Sequence, residues 1–198
     1  VHVLTAGNDM GTGAYTVVAV TAAEALGVPV ENVRVEMGDS QLPDGGLAGG
    51  SMMTASLTPA VMQACQDVLK AANCKTASDA CAALRQSGRA AFEATASSAP
   101  GDEGKKWAFQ SWGAHFCEVA VDEEIGRLRV TRWVSVMDIG RVMNAKTAAS
   151  QVRGGVIMGI GQALMEECHF DPNIGYPVVY DLATYHFPAH ADIPRIEV

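Results

Sequence analysis

Two glycine-rich joints constrain this chain more than any other feature of its sequence. The first, Gly7 to Gly13, separates a short apolar segment (Val1–Thr5) from a helical pattern that begins near Thr16. The second, Gly45 to Gly50, ends a long loop between the alternating segment Val33–Met37 and another helical pattern. Glycine reaches backbone conformations closed to other residues and lets a second backbone or a ligand approach closely. A helix that starts at such a joint also presents free N–H groups, which attract anions.

The local patterns predict a sequence of elements. Val1–Thr5 is a strand, and Thr16–Leu26 a helix with Val17, Val20 and Glu24 on one stripe and Ala19, Ala22, Ala23 and Leu26 beside it. Gly27 supplies a left-handed stop and Pro29 follows it. Val33–Met37 alternates as a strand does. A second helix spans roughly Thr54 to Lys70, regular only from about Thr58 because Pro59 is best tolerated in a first turn. Ser78–Gly88 is a short helix with Asp79 in its first turn.

Residues 113–122 and 127–138 predict a hairpin with Gly126 at positive φ. Leu128, Val130, Val134 and Val136 are expected on one of its faces. Asn144 suits the cap of a long helix running to about Glu167. That helix carries Gly154, Gly155, Gly159 and Gly161, each costing up to about 1 kcal/mol against alanine. Close approach of another backbone or of a large ligand is the natural reason for them. Asp171–Tyr176 reads as a turn, and Pro177–Tyr180 leads to a last extended segment.

Strands grouped apart from helices predict an α+β fold, with mixed or antiparallel sheets packed by helices. The linker-like stretch 97–106 divides the chain into residues 1–96 and 107–198. The apolar segments at both ends read as strands already under way, so the chain is expected to be a piece of something longer. Such strands would offer edges prone to pairing.

Composition excludes several classes. Of 198 residues 48% are hydrophobic and 18% charged, enough apolar surface for a sizeable core. A net charge of −8 lacks the footprint of a nucleic-acid binder, and no apolar run is long enough for a membrane span. The five cysteines form no CxxC pair, so reduced, half-buried thiols are expected rather than a zinc site or a disulfide framework. His115, His169, His186 and His190 have no ligand partners at metal-site spacing, and Glu166-Glu167 reads as a solvated pair. No GxSxG, HExxH or paired-carboxylate signature is present, and the expected compartment is the cytoplasm.

Three constellations could carry chemistry. Gly11, Thr12 and Gly13 open the first helix at an anion-friendly joint. This is neither a dinucleotide fingerprint, since Thr16 replaces the third glycine, nor a Walker loop, since no lysine follows. A plain glycine turn is the competing reading. Gly50, Ser51 and Thr54 precede the second helix with hydroxyls beside backbone donors, and a simple N-cap competes there. Gln151 could read a heterocycle edge through one donor and one acceptor, and an ordinary exposed helical glutamine competes.

Taken in order, these segments resemble the molybdenum-cofactor-binding subunit of the xanthine dehydrogenase/aldehyde oxidase family. The likeness rests on DMGTGAYT at 9–16, GGSMMT at 49–54, AVMQACQ at 60–66 and GAHFCEVAVDEEIGRLRV at 113–130. It continues in MDIGRVMNAKTAASQVRGGVIMGIGQALMEE at 137–167 and YHFPAHADIPRIEV at 185–198. It is closest to the bacterial three-subunit aldehyde oxidoreductases.

The resemblance implies a molybdenum-cofactor-binding-domain fold and a molybdopterin-type cofactor, including a cytosine dinucleotide form. Gly11, Thr12, Gly13, Gly50, Ser51, Thr54 and Gln151 match cofactor-contacting positions, with Thr12 standing where many members carry glutamine. It further implies an enzyme that oxidises aldehydes or N-heterocycles with water-derived oxygen. Electrons would pass to an iron–sulfur subunit with [2Fe-2S] centres and to a FAD subunit.

The family's catalytic glutamate falls beyond residue 198 and Glu197 is not that base, so no residue here is assigned as catalytic and no metal ligand is expected. Upstream and downstream segments of the same subunit are expected partners, and the chain alone is expected to be inactive. Export with a signal-bearing partner to the periplasm is the alternative compartment. A non-catalytic scaffold module of the same fold is the alternative function.

Overall fold

The computed structural model describes residues Val1–Val198. They form two compact units, Val1–Ala108 and Phe109–Val198.

In the first unit, strand β1 (His2–Thr5) leads through the first glycine joint into helix α1 (Ala14–Leu26). Strand β2 (Arg34–Met37) then returns parallel to β1, with Val3 opposite Val35 and Thr5 opposite Met37. Helix α1 starts two residues before the expected Thr16, and Gly27 closes it at φ 64°. Its buried stripe runs Ala14, Val18, Ala22, Leu26, while Glu24 is exposed. The stripe differs from the expected one because α1 packs on both the β1–β2 pair and the next helix.

That helix, α2 (Met53–Ala71), runs unbroken through Pro59 and starts at Met53, earlier than the expected regular onset at Thr58. A helical proline leaves the carbonyl four residues back without its donor. Here Ala55 and Pro59 are both exposed, so water can satisfy that carbonyl. The opposite face, Met53, Leu57, Val61 and Cys65 at four-residue spacing, is buried against Val18, Ala22 and Leu26 of α1. Helix α3 (Ala77–Ser87) is capped by Thr76, whose hydroxyl oxygen accepts from Asp79 N at 3.1 Å, and it ends at Gly88 with φ 65°. A single helical turn, α4 (Glu103–Lys106), lies in the stretch expected as a linker.

In the second unit, β3 (Trp112–Asp122) and β4 (Arg127–Asp138) form the expected hairpin, with Gly126 at φ 66°. The expected apolar face of β4 does not exist as one face. Glu118 pairs with Arg132 but Val119 pairs with Val130, which leaves Thr131 as an extra residue. Such a bulge reverses the inside–outside alternation. Leu128 and Val130 therefore share a face with Trp133, Ser135 and Met137, and Val134 and Val136 point the other way. The Thr131 hydroxyl donates to the Glu118 carbonyl at 3.3 Å.

Helix α5 (Ala145–Leu164) ends three residues short of Glu167, and Asn144 caps it by accepting from Lys146 N and Thr147 N at 3.1 and 3.2 Å. Strand β5 (Arg195–Glu197) then pairs parallel with β4, giving the order β3-β4-β5. A parallel pair in one unit and a mixed sheet in the other, with helices alongside, make the chain α+β. No helix is long and apolar enough to cross a membrane.

Candidate functional site

Strands β1 and β2 are parallel neighbours, so the loops that follow them leave from the same edge. The carboxyl edge of parallel strands is where ligands collect in folds of this kind. Residues 6–13 follow β1 and residues 38–52 follow β2. The two loops touch: Ala6 N donates to Pro43 O at 2.6 Å, and the buried Thr5 hydroxyl donates to the same carbonyl at 3.4 Å while accepting from Gly7 N at 3.2 Å. Gly45 lies directly on the backbone of Gly7. Gly11, Thr12 and Gly13 are thereby held in one unit with Gly50, Ser51 and Thr54.

The first joint differs from its expected form in one respect. Its backbone N–H groups are already engaged by Asp9. One carboxylate oxygen accepts from Gly11 N at 2.9 Å and Gly13 N at 3.2 Å, and the other accepts from Tyr15 N at 3.1 Å. The Thr12 hydroxyl adds a long donation at 3.5 Å and is otherwise exposed. Gly11 at φ 108° and Gly13 at φ 85° provide the backbone turns this requires. Tyr15 anchors the assembly to β2, its hydroxyl donating to Met37 O at 3.1 Å.

Burial pushes the Asp9 carboxyl upward, but the N–H groups of Tyr15, Gly11, Gly13 and Thr12 outweigh it and hold the group below the ordinary 3.8. A carboxyl lowered on folding stabilises the fold fully above its unfolded value and loses that contribution as pH falls through the folded one. Asp9→Asn should therefore flatten the acid limb of stability below about pH 5, read by urea unfolding. An unchanged slope would show that the carboxylate contributes nothing.

The second joint is open by contrast. Gly50 and Ser51 are both left-handed, at φ 58° and 57°, and Ser51 is exposed. A serine in that region is uncommon and marks a strained position. Helix α2 begins at Met53 with no side-chain cap on its first N–H groups, and Thr54 stands exposed in its first turn.

In the second unit Gln151 stands exposed on α5. A Cβ at Gly154, Gly155 or Gly159 would meet nothing within 4 Å, so no backbone approaches those three. Only Gly161 is closely approached, and by side chains rather than backbone: the Glu166 carboxylate and the ring of Pro188, whose Cδ would stand 2.5 Å from an added Cβ.

Glu166 is not merely solvated: it accepts from the Tyr185 hydroxyl at 2.7 Å, while Glu167 pairs with His169 at 2.9 Å. The bond to Glu166 holds the Tyr185 phenol above its ordinary value. Met158, Gln162, Glu166, Glu167, Cys168 and Tyr185 line a groove of about 430 Å³ that includes none of the expected cofactor positions.

Glu197 is occupied by Arg132 at 2.9 Å and Arg195 at 3.3 Å. The Arg132 hydrogen bond chiefly holds its carboxyl below the usual range. Of the cysteines, Cys65 is buried, which pushes its thiol up, and Cys74 is half-buried. Cys81, Cys117 and Cys168 are exposed, contrary to expectation, because two lie on outer helix and strand faces and one in a surface loop.

Sequence reasoning missed the roles of Asp9, Gly45 and the Glu166–Tyr185 pair. Asp9 could have been found: an aspartate just before a Gly-x-Gly turn and a helix start is placed to accept from its own backbone.

The chain belongs to the molybdopterin cofactor-binding domain family, whose sequence profile matches residues 1–194. It is 38% identical over 206 residues to the aldehyde oxidoreductase molybdenum-binding subunit PaoC of Escherichia coli (strain K12), covering 96% of this chain and 28% of that protein. It is 27% identical over 203 residues to the xanthine dehydrogenase/oxidase of Gallus gallus, covering 95% and 15%.

Among solved structures, the quinoline 2-oxidoreductase of Pseudomonas putida 86 superposes with a TM-score of 0.79 at 24% identity, over 96% of this chain and 28% of that one. The aldehyde oxidoreductase of Desulfovibrio desulfuricans ATCC 27774 does so with 0.70 at 25% identity, over 98% and 22%. The chain thus spans between about a seventh and about a quarter of the length of these relatives.

Proposed function

We propose that this chain is the cofactor-cradling part of a molybdenum hydroxylase that oxidises aldehydes, with N-heterocycles as the second substrate class. Family membership supports the cofactor. The open start of α2 supports where its anionic end goes. Asp9 already takes the N–H groups of Gly11, Gly13 and Tyr15, and the start of α2 has no side-chain cap, which supports placing the phosphate at α2 with Gly50, Ser51 and Thr54 around it. Gly11, Thr12 and Gly13 then offer the exposed Thr12 hydroxyl to the polar edge of the pterin. In the second unit Gln151 offers both a donor and an acceptor, and the open helix positions at Gly154, Gly155 and Gly159 leave room for a bulky ring.

When bound, the molybdenum centre supplies a two-electron oxidation in which one water provides the oxygen of the product and two protons are released. Residues 1–198 contribute binding and orientation. Partner subunits carrying [2Fe-2S] centres and FAD take the electrons, the cofactor is of the molybdopterin or cytosine dinucleotide form, and the compartment is the cytoplasm.

The test is molybdenum and phosphorus content per chain of the complete polypeptide, made in a host that synthesises the cofactor, followed by aldehyde-dependent dye reduction. Near-stoichiometric molybdenum is expected, falling about tenfold in Gly50→Val and in Thr54→Val as phosphate contacts are lost. A loaded protein that oxidises neither aldehydes nor N-heterocycles would overturn the activity. Absence of molybdenum would favour a scaffold module.

A further inference from the structure

Helices α1 and α2 both follow glycine joints and neither has a side-chain bond from its N-cap residue, but a carboxylate reaches the first N–H groups of α1 alone. At α2 those groups have no side-chain cap. At α1 both oxygens of the Asp9 carboxylate lie across the N–H groups of Gly11, Gly13 and Tyr15, at 2.9, 3.2 and 3.1 Å. A carboxylate brings to that spot the charge and the paired acceptors that a bound anion would bring. The glycine turns make the seat possible, and the Tyr15 hydroxyl on Met37 O ties its far side to β2.

We infer that Asp9 is the positioning residue of the cofactor loop: its carboxylate fills the anion seat at the start of α1, so residues 11–15 keep their shape without a cofactor and the cofactor's phosphate is received elsewhere. This rests on the molybdenum-cofactor reading above, which gives the loop a ligand to be shaped for. Its consequence is an asymmetric cradle. The α1 loop is preformed by the chain's own charge, and the α2 loop is left for the ligand to organise. A cradle ordered in advance spares the ligand part of the entropy of fixing the loop.

Amide hydrogen exchange on the complete polypeptide, cofactor-free, tests this with formate and inorganic phosphate as probes. In the native protein the amides of Gly11, Gly13 and Tyr15 should exchange slowly and respond to neither anion. In Asp9→Gly they should exchange about tenfold faster or more. Formate, standing in for the missing carboxylate, should slow them again where chloride does not, and cofactor uptake should fall and recover in step. Slow exchange at these amides in Asp9→Gly without added anion would overturn the inference, as would phosphate protecting them in the native protein.

Exchange at Val18 and Ala22 reports whether the variant folds. Should those amides also speed up, Asp9→Asn decides, since loss confined to the three loop amides supports the inference and no loss overturns it. Molybdenum content separates the two readings. A formate-responsive seat in a protein that never takes up molybdenum keeps the role of Asp9 and discards the cofactor. Molybdenum bound normally by Asp9→Gly keeps the cofactor and discards the role.

Discussion

Gly45→Ala should cost about 2–3 kcal/mol of stability and most of the bound molybdenum. A Cβ at residue 45 would stand 2.7 Å from Thr5 Oγ1 and closer still to the backbone N and Cα of Gly7. Backbone cannot step aside as the end of a flexible side chain can. Gly7 has no room to retreat either, because its own free side faces Leu57 Cδ1 and Met37 Cε, where a Cβ would already stand at 3.2 and 3.3 Å. Both of those residues belong to the buried core of the first unit. The displacement would therefore break the bonds from Ala6 N and the Thr5 hydroxyl to Pro43 O, which hold the two loops together.

Since one loop carries Gly11–Gly13 and the other Gly50 and Ser51, the proposed cradle opens along the same seam. Gly104→Ala is the control, because a Cβ there meets nothing within 4 Å. Urea unfolding and molybdenum content check both variants. A Gly45→Ala protein within about 0.5 kcal/mol of native, the range of an inert surface change, would show that the loops do not depend on this contact.

What was legible in the sequence follows from the range of the forces involved. Gly27, Gly88 and Gly126 are left-handed where local pattern demanded a stop or a turn, and Asn144 caps its helix through bonds spanning two or three residues. The Thr131 bulge was not legible. Alternation alone put Val134 and Val136 with Leu128 and Val130, and only the pairing with β3 reveals the extra residue.

The same holds for Gly45 on Gly7, a contact between residues 38 positions apart that no window of sequence displays. Close approach of another backbone was anticipated for four helix glycines and is found at none; at Gly161 it is side chains, the Glu166 carboxylate and the Pro188 ring, that close in. At the site, the loop positions were recoverable from glycine and hydroxyl placement. The decisive detail, a carboxylate occupying one of two similar helix starts, needed coordinates.

Made separately, the two units should behave oppositely: Val1–Ala108 unfolding in one cooperative transition, Phe109–Val198 melting gradually and binding a hydrophobic dye. The first unit has a contiguous core, with Ala14, Val18, Ala22 and Leu26 of α1 packed on Met53, Leu57, Val61 and Cys65 of α2. In the second, only Ser135, Val156, Ile160 and Gly161 are buried. Burying one valine and one isoleucine yields about 1.5–3 kcal/mol each. That is a small core for a unit of this length.

The hairpin does not make up the shortfall. Every residue of β3 is exposed, including Trp112 at 65% and Phe116 at 67%, and Val136 of β4 is 64% exposed. Apolar surface of that extent is normally covered by other protein. The relatives have chain to cover it with, since this one spans 28% of PaoC. The outer edge of β3 is also unpaired over eleven residues, which favours self-association of the isolated unit. Calorimetry with dye binding and sedimentation decides the matter. A sharp transition in a dye-free, monomeric Phe109–Val198 would mean that the hairpin and α5 sustain a fold by themselves, and that their apolar faces need no further polypeptide.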